Sequence, residues 1–214
     1  AASNILIRSL TGHVTINAAV TSAVGHISVL AQSNVTQNAD LRTGGGGTIL
    51  VQAYTGRLTM AGTAALVSGG GTILARAFEQ VHVGVVLAGT GTVAVTADAF
   101  YSNLLDANGA SANITGGEVS LWAGAIVGSL TDRVEVTASR FCAEPAALAH
   151  VQLAATNIPY GAIAPSWVQR VETNLMLTPV KVNSACPPPL YDWSSLGGLP
   201  GTSYDVYALA RQPG

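Results

Sequence analysis

Charge is what this sequence has least of. Only 9% of its 214 residues are Asp, Glu, Lys or Arg, against about 25% in an average soluble domain. Nine basic side chains stand against eleven acidic ones, the formal charge is −2, and Lys181 is the sole lysine. Such a set cannot build a basic patch, which excludes nucleic-acid binding by phosphate neutralisation and docking to an anionic membrane through a polybasic run. Long apolar runs are also missing. The longest, such as residues 119–130, are interrupted by Gly and Ser and fall short of the roughly 20 residues a spanning helix requires, so no membrane insertion is expected. Neither a basic-then-apolar leader nor an initiator Met opens the chain, which therefore reads as a mature or trimmed piece of something longer. Cysteine is reduced to Cys142 and Cys186, 44 positions apart (186 − 142). One disulfide in an exported protein and two free thiols both remain open, and two Cys without nearby His do not suggest zinc.

Hydrophobic residues, by contrast, make up 49% of the chain and mean hydropathy is +0.41, so a sizeable core can form and global disorder is excluded. These residues recur. Gly25, Gly47, Gly71, Gly91 and Gly117 each stand two positions before an apolar strand, and an earlier strand opens at Ile5 without the glycine. Strand starts at 5, 27, 49, 73, 93 and 119 lie 22, 22, 24, 20 and 26 residues apart.

Each first strand alternates with period two, as a strand with one buried face does. The inward triplets are Ile5, Ile7, Ser9; Ile27, Val29, Ala31; Ile49, Val51, Ala53; Ile73, Ala75, Ala77; Val93, Val95, Ala97; and Val119, Leu121, Ala123. Read down the columns, the first position is always Ile or Val and the third always Ala or Ser, as stacking of like on like demands. A second strand follows at Val14–Ile16, from Val35, at Leu58–Met60 and at 81–83. Apolar pieces for a third side come at Val20, Leu41, 66–67, 86–87 and Ile114, and the glycine runs 44–47 and 69–71 turn the chain into the next coil. Residues 1–139 are thus expected to form an all-β, single-stranded parallel β-helix of about six coils, roughly 30 Å long at the spacing of paired strands. The competing reading, a globular β-sandwich, gives no reason for columns.

The phrases GHISVLAQ, GGTILVQA, GGTILARA, GTVAVTAD and GEVSLWAG resemble the β-helical repeats of large bacterial surface adhesins of the filamentous-haemagglutinin and autotransporter type. The resemblance covers about two thirds of the chain. It implies a secreted or cell-surface β-solenoid whose role is adhesion or assembly rather than catalysis.

From about Arg140 the repeat stops and prolines crowd in, including the run 187–189. Residues 140–214 read as an irregular capping or docking segment, with one short helix expected over 146–155 behind Pro145 and irregular strands within 167–182. Outward positions of the first strands include Leu6, Leu30, Leu50, Leu74 and Trp122. So apolar a stripe marks an interface, and Leu50 and Leu74 are expected to be covered by protein, either the tail or another subunit.

Candidate chemistry is thin. Glycan-cleaving β-helices need clustered carboxylates or a carboxylate beside Arg or Lys. The acids here sit at different offsets within their coils, and Asp98 and Asp106 with Arg76 or Arg133 are the least poor choice. His13, His26, His82 and His150 have no metal-ligand spacing, and residues 44–47 precede no GK[ST], so no catalytic residue, metal or cofactor is assigned. Thr15, Thr36 and Thr59 hint at a threonine ladder, which His82 breaks. Asn34-Val-Thr36 and Asn113-Ile-Thr115 are N-glycosylation triplets, of value to a surface so poor in charge. The expected function is a structural or adhesive solenoid that self-assembles or forms part of a fibre, its partners being copies of itself, further repeats of a parent chain, or surface glycans. A carbohydrate-binding or carbohydrate-cleaving β-helix is the alternative.

Overall fold

A computed structural model describes residues 4–145, 148–155, 162–163 and 168–173, with side-chain surroundings for 4–143 and 151–152. They form a β-solenoid of about six turns in which the described strand pairings between coils are parallel. The first side carries the strands Ile5–Ser9, Ile27–Ala31, Ile49–Ala53, Ile73–Ala77 and Thr92–Ala97. It continues in the later parts of Ile114–Ala123 and Val134–Pro145. Ile5, Ile27, Ile49, Ile73, Val93, Val119 and Phe141 follow one another in register across it. The second side stacks Val14–Ile16, Val35–Gln37, Leu58–Met60, Gln80–Val83 and Asn103–Asp106. The third stacks Val20–Ser22, Leu41–Thr43, Ala65–Ser68 and Val85–Leu87 and then the start of Ile114–Ala123.

The three sides close on one continuous apolar interior. Ile27, Ile49 and Ile73 from the first side, Leu58, Val81 and Leu104 from the second, and Leu41, Leu66 and Val86 from the third are fully buried in it. Burying an aliphatic side chain contributes about 1.5–3 kcal/mol, and because every coil repeats the same positions the gain recurs along the rod. Ala31, Ala53, Ala77, Ala97 and Ala123 close the first side, all of them buried. Directly after them the chain bends, and Tyr54 and Phe78 donate backbone N–H to Ala31 and Ala53 of the coil before. Between coils, Gly45 and Gly70 take φ of 56° and 119°, a region strained for residues with a Cβ.

Two expectations are corrected. Residues 148–155 are a strand rather than a helix: Val134, Glu135, Val136, Thr137 and Ala138 pair in parallel with Val151, Gln152, Leu153, Ala154 and Ala155. An isolated ten-residue helix is marginal in water, whereas the open edge of Val134–Pro145 offers a ready ladder. The period-two placement of Ala149, Val151 and Leu153 against His150 and Gln152 suits that ladder. The boundary set at 139 falls inside the strand Val134–Pro145, and parallel pairing continues through Thr173. Residues 174–214, including the run 187–189, lie outside the described residues.

Candidate functional site

The outer face of the first side is the most unusual surface of the rod. Two outward columns run along it. One is Leu6, Ser28, Leu50, Leu74, Ala94, Ser120 and Cys142; the other is Arg8, Leu30, Gln52, Arg76, Thr96 and Trp122. Leu30, Leu50, Leu74 and Ala94 are 8%, 6%, 4% and 0% exposed and form an apolar cluster separate from the interior, with Leu6 packed against it. Trp122 shares the face in the Leu30 column, half-buried and outside that cluster. Outward positions elsewhere behave differently although pleat and stacking are the same. Thr15 and Thr59 on the second side and Arg42 and Leu87 on the third are exposed, and Thr36, His82 and Val67 are half-buried. The hydroxyls of Ser28 and Thr96 are buried without a hydrogen-bond partner. Leu50 and Leu74 are thus buried although they point outward. Cys142, at the end of the first column, is buried and disulfide-bonded; Cys186 lies outside the described residues.

Asp98 and Asp106, the least poor choice for chemistry, are separated by their partners. Asp98 Oδ2 takes the Nε–H of Arg76 at 2.5 Å, an ion pair between adjacent coils. Asp106 instead belongs to a corner that sequence spacing did not reveal, shared with Asn108, Asn113, Asp132 and Glu135. Asn113 is its hub. The buried amide nitrogen lies 2.5 Å from Asp106 Oδ1 and 2.8 Å from Asn108 Oδ1, and 3.2 and 3.1 Å from the carbonyl oxygens of Val83 and Gly84. Its Oδ1 accepts the Glu135 N–H at 2.9 Å. Desolvation, then the Asp106 charge, pushes the Glu135 carboxyl up to about 7, with Asp132 adding to the effect and Arg133 opposing it. Burial and then the neighbouring Asp106 carboxylate raise Asp132 as well. Among the described residues no group of three or more His, Cys, Asp or Glu is arranged to hold a metal ion. The corner is legible as structure: an amide ties three coils together and gathers three acids beside one another.

The burial of Asn113 (0% exposed) corrects its reading as a glycan acceptor, because its amide nitrogen is consumed inside the rod. Asn34 is exposed. The threonine column is in register, Thr15 on Thr36 on Thr59, and the next coil supplies His82. His26 is tied by Nδ1 to Thr48, His13 is exposed, and burial lowers the pKa of His82, assisted by Arg57; His150 has no described surroundings.

One feature escaped the sequence reading. Tyr54 and Phe78 occupy the same corner in adjacent coils, and Phe100 and Tyr101 follow the next first-side strand. All four are exposed, and the rings of Phe100 and Tyr101 meet edge to face at 4.7 Å. The signal available was an aromatic shortly after the small closing Ala of three successive strands. Comparison with protein-family models, with curated proteins and with solved structures finds no match to this chain.

Proposed function

We propose that this chain is a non-catalytic structural β-solenoid of a secreted or cell-surface fibre, and that it works by stacking end on end. The observation behind this reading is the state of the first coil. Ile5 and Ile7 occupy the same inward columns as Ile27 and Val29, which are fully buried, yet both are only half-buried. Among the described residues nothing pairs with the outer edge of Ile5–Ser9. An uncovered apolar end rimmed by free backbone N–H and C=O groups is a template for another parallel strand. In the proposed fibre a further coil covers that end. A head-to-tail contact between copies gives an open filament when its rotation does not close. The disulfide at Cys142 fits an oxidising, extracytoplasmic setting.

Electron microscopy of the full chain at micromolar concentration in neutral buffer tests the self-assembling form. Rods that lengthen with concentration, and that shorten to single units when Ile5 and Ile7 are both changed to Lys, are the expected result. Single short rods at every concentration would refute self-assembly.

The exposed ring row at Tyr54, Phe78, Phe100 and Tyr101 favours a second role, glycan binding, since sugar C–H faces stack on exposed aromatic rings. Binding of a soluble glycan that is lost with Tyr101→Ala is expected on that reading, and equal binding by the variant would remove it.

A further inference from the structure

We propose that the C-terminal residues 174–214 form a strap lying along the outer face of the first side, pinned to it at Cys142. Leu30, Leu50, Leu74 and Ala94 on that face are shielded while Thr15, Thr59, Arg42 and Leu87, outward on the other two sides, are exposed, so a cover exists, and it is dry enough to leave the Ser28 and Thr96 hydroxyls without partners. The occupant is identified by the disulfide. Cys142 is bonded, and the chain contains one other cysteine, Cys186. A disulfide holds its two Cα atoms within about 4.4–6.8 Å. Residue 186 is thereby brought to the column that continues through Ser120, Ala94, Leu74 and Leu50.

Length and chemistry agree. From Cys142 to Leu6 the column takes six coil steps, about 29 Å at roughly 4.8 Å each. The stretch 187–214 could span up to about 90 Å if fully extended, so it covers the face with length to spare. A sheet face offers no backbone hydrogen bonds, because its N–H and C=O groups are already used in the ladders. A segment that docks there contributes side chains, and its own backbone gains little from free N–H groups. Residues 187–189 are three prolines, which lack that donor. Leu190, Tyr191, Trp193, Leu196 and Leu199 then supply apolar surface to match Leu30, Leu50 and Leu74. Only Lys181, Asp192, Asp205 and Arg211 are charged in 174–214. The strap lies on a side face and not on an end, so this inference stands apart from the stacking of rods.

The test places an aliphatic diazirine amino acid at position 50 or 74 of the oxidised full-length chain. An equal mixture of ¹⁵N-labelled and unlabelled protein is irradiated, and the cross-linked peptides are read by mass spectrometry. From both positions, links into peptides of 174–214 that join only like isotopes are expected, whereas the same probe at position 59 gives mainly water adducts. Links joining unlike isotopes would make a second copy the cover and overturn the strap. Predominant water adducts at 50 and 74 would overturn the cover itself. With Cys186→Ser the yield into 174–214 should fall several-fold, and an unchanged yield would overturn the role given to the disulfide.

Discussion

Replacing Asn113 by Ala would remove the amide that ties three coils of the rod together. The Glu135 N–H would lose its acceptor at 2.9 Å, and Asp106 Oδ1 would lose its contact with the amide nitrogen, keeping the Asn108 N–H. Val83 keeps the Ala107 N–H on its carbonyl, and Gly84 keeps a longer contact from Asn108, so neither is orphaned. The cost is then one unsatisfied buried N–H, about 1–3 kcal/mol, plus one hydrogen bond to a carboxylate, about 1.5–3 kcal/mol. Roughly 3–5 kcal/mol is expected, a loss of at least about a hundredfold in the folding constant. Asn34→Ala is the control, because it removes an exposed acceptor of the Arg57 N–H and should cost about 1 kcal/mol or less. Urea unfolding followed by far-UV circular dichroism at pH 7 measures both. Equal stabilities of the two variants would refute the assignment of Asn113 as a buried tie. A change in slope rather than midpoint would instead signal that coils unfold in separate steps.

Glu135 carries a folded pKa of about 7 against an ordinary value of 4.5, so the folded protein binds the extra proton. Its contribution is full below about pH 4.5 and is lost as pH rises through 7; unfolding midpoints should fall over that window, and Glu135→Gln should flatten the decline. A Cβ on Gly71 would overlap the backbone carbonyl oxygens of Gly46 and Gly47 in the coil before. Gly71→Ala is therefore expected to lower the melting temperature by several degrees, whereas Gly46→Ala, with open space around it, should cost about 1 kcal/mol or less; similar melting curves would contradict the close approach of the turns. Ile49→Ala should cost about 2–5 kcal/mol and Ile5→Ala less than half as much, since Ile5 is only half-buried in the isolated chain. Equal costs would mean the first coil is as well covered as the third.

The coil was legible because its determinants are local. Alternation of Ile and Val with outward residues sets each first strand, a small Ala closes it, and glycine turns the chain. Matching columns at strand starts 5, 27, 49, 73, 93 and 119 then fix the register, since a one-residue slip would turn every inward side chain outward. Other features depend on what stacks on what, and residues two dozen apart in sequence carry no local sign of that. Asp106, Asn113 and Glu135 look like unrelated turn residues until one coil is laid on the next, and only then do burial and like charge raise Glu135. Asn113 satisfies the glycosylation triplet as well as Asn34 does, but the triplet does not encode depth.

The sequence by itself determined the parallel β-helix, its coil length and its inward columns, because these follow from period-two patterning and from stacking like on like. Only the tertiary structure decided that residues 148–155 are a strand, since an open ladder edge outweighs weak helix propensity. It alone distinguished the shielded outer columns at Leu50 and Leu74 from the open one at Thr59. Outward direction is a local property of the pleat; burial of an outward side chain depends on what packs over it.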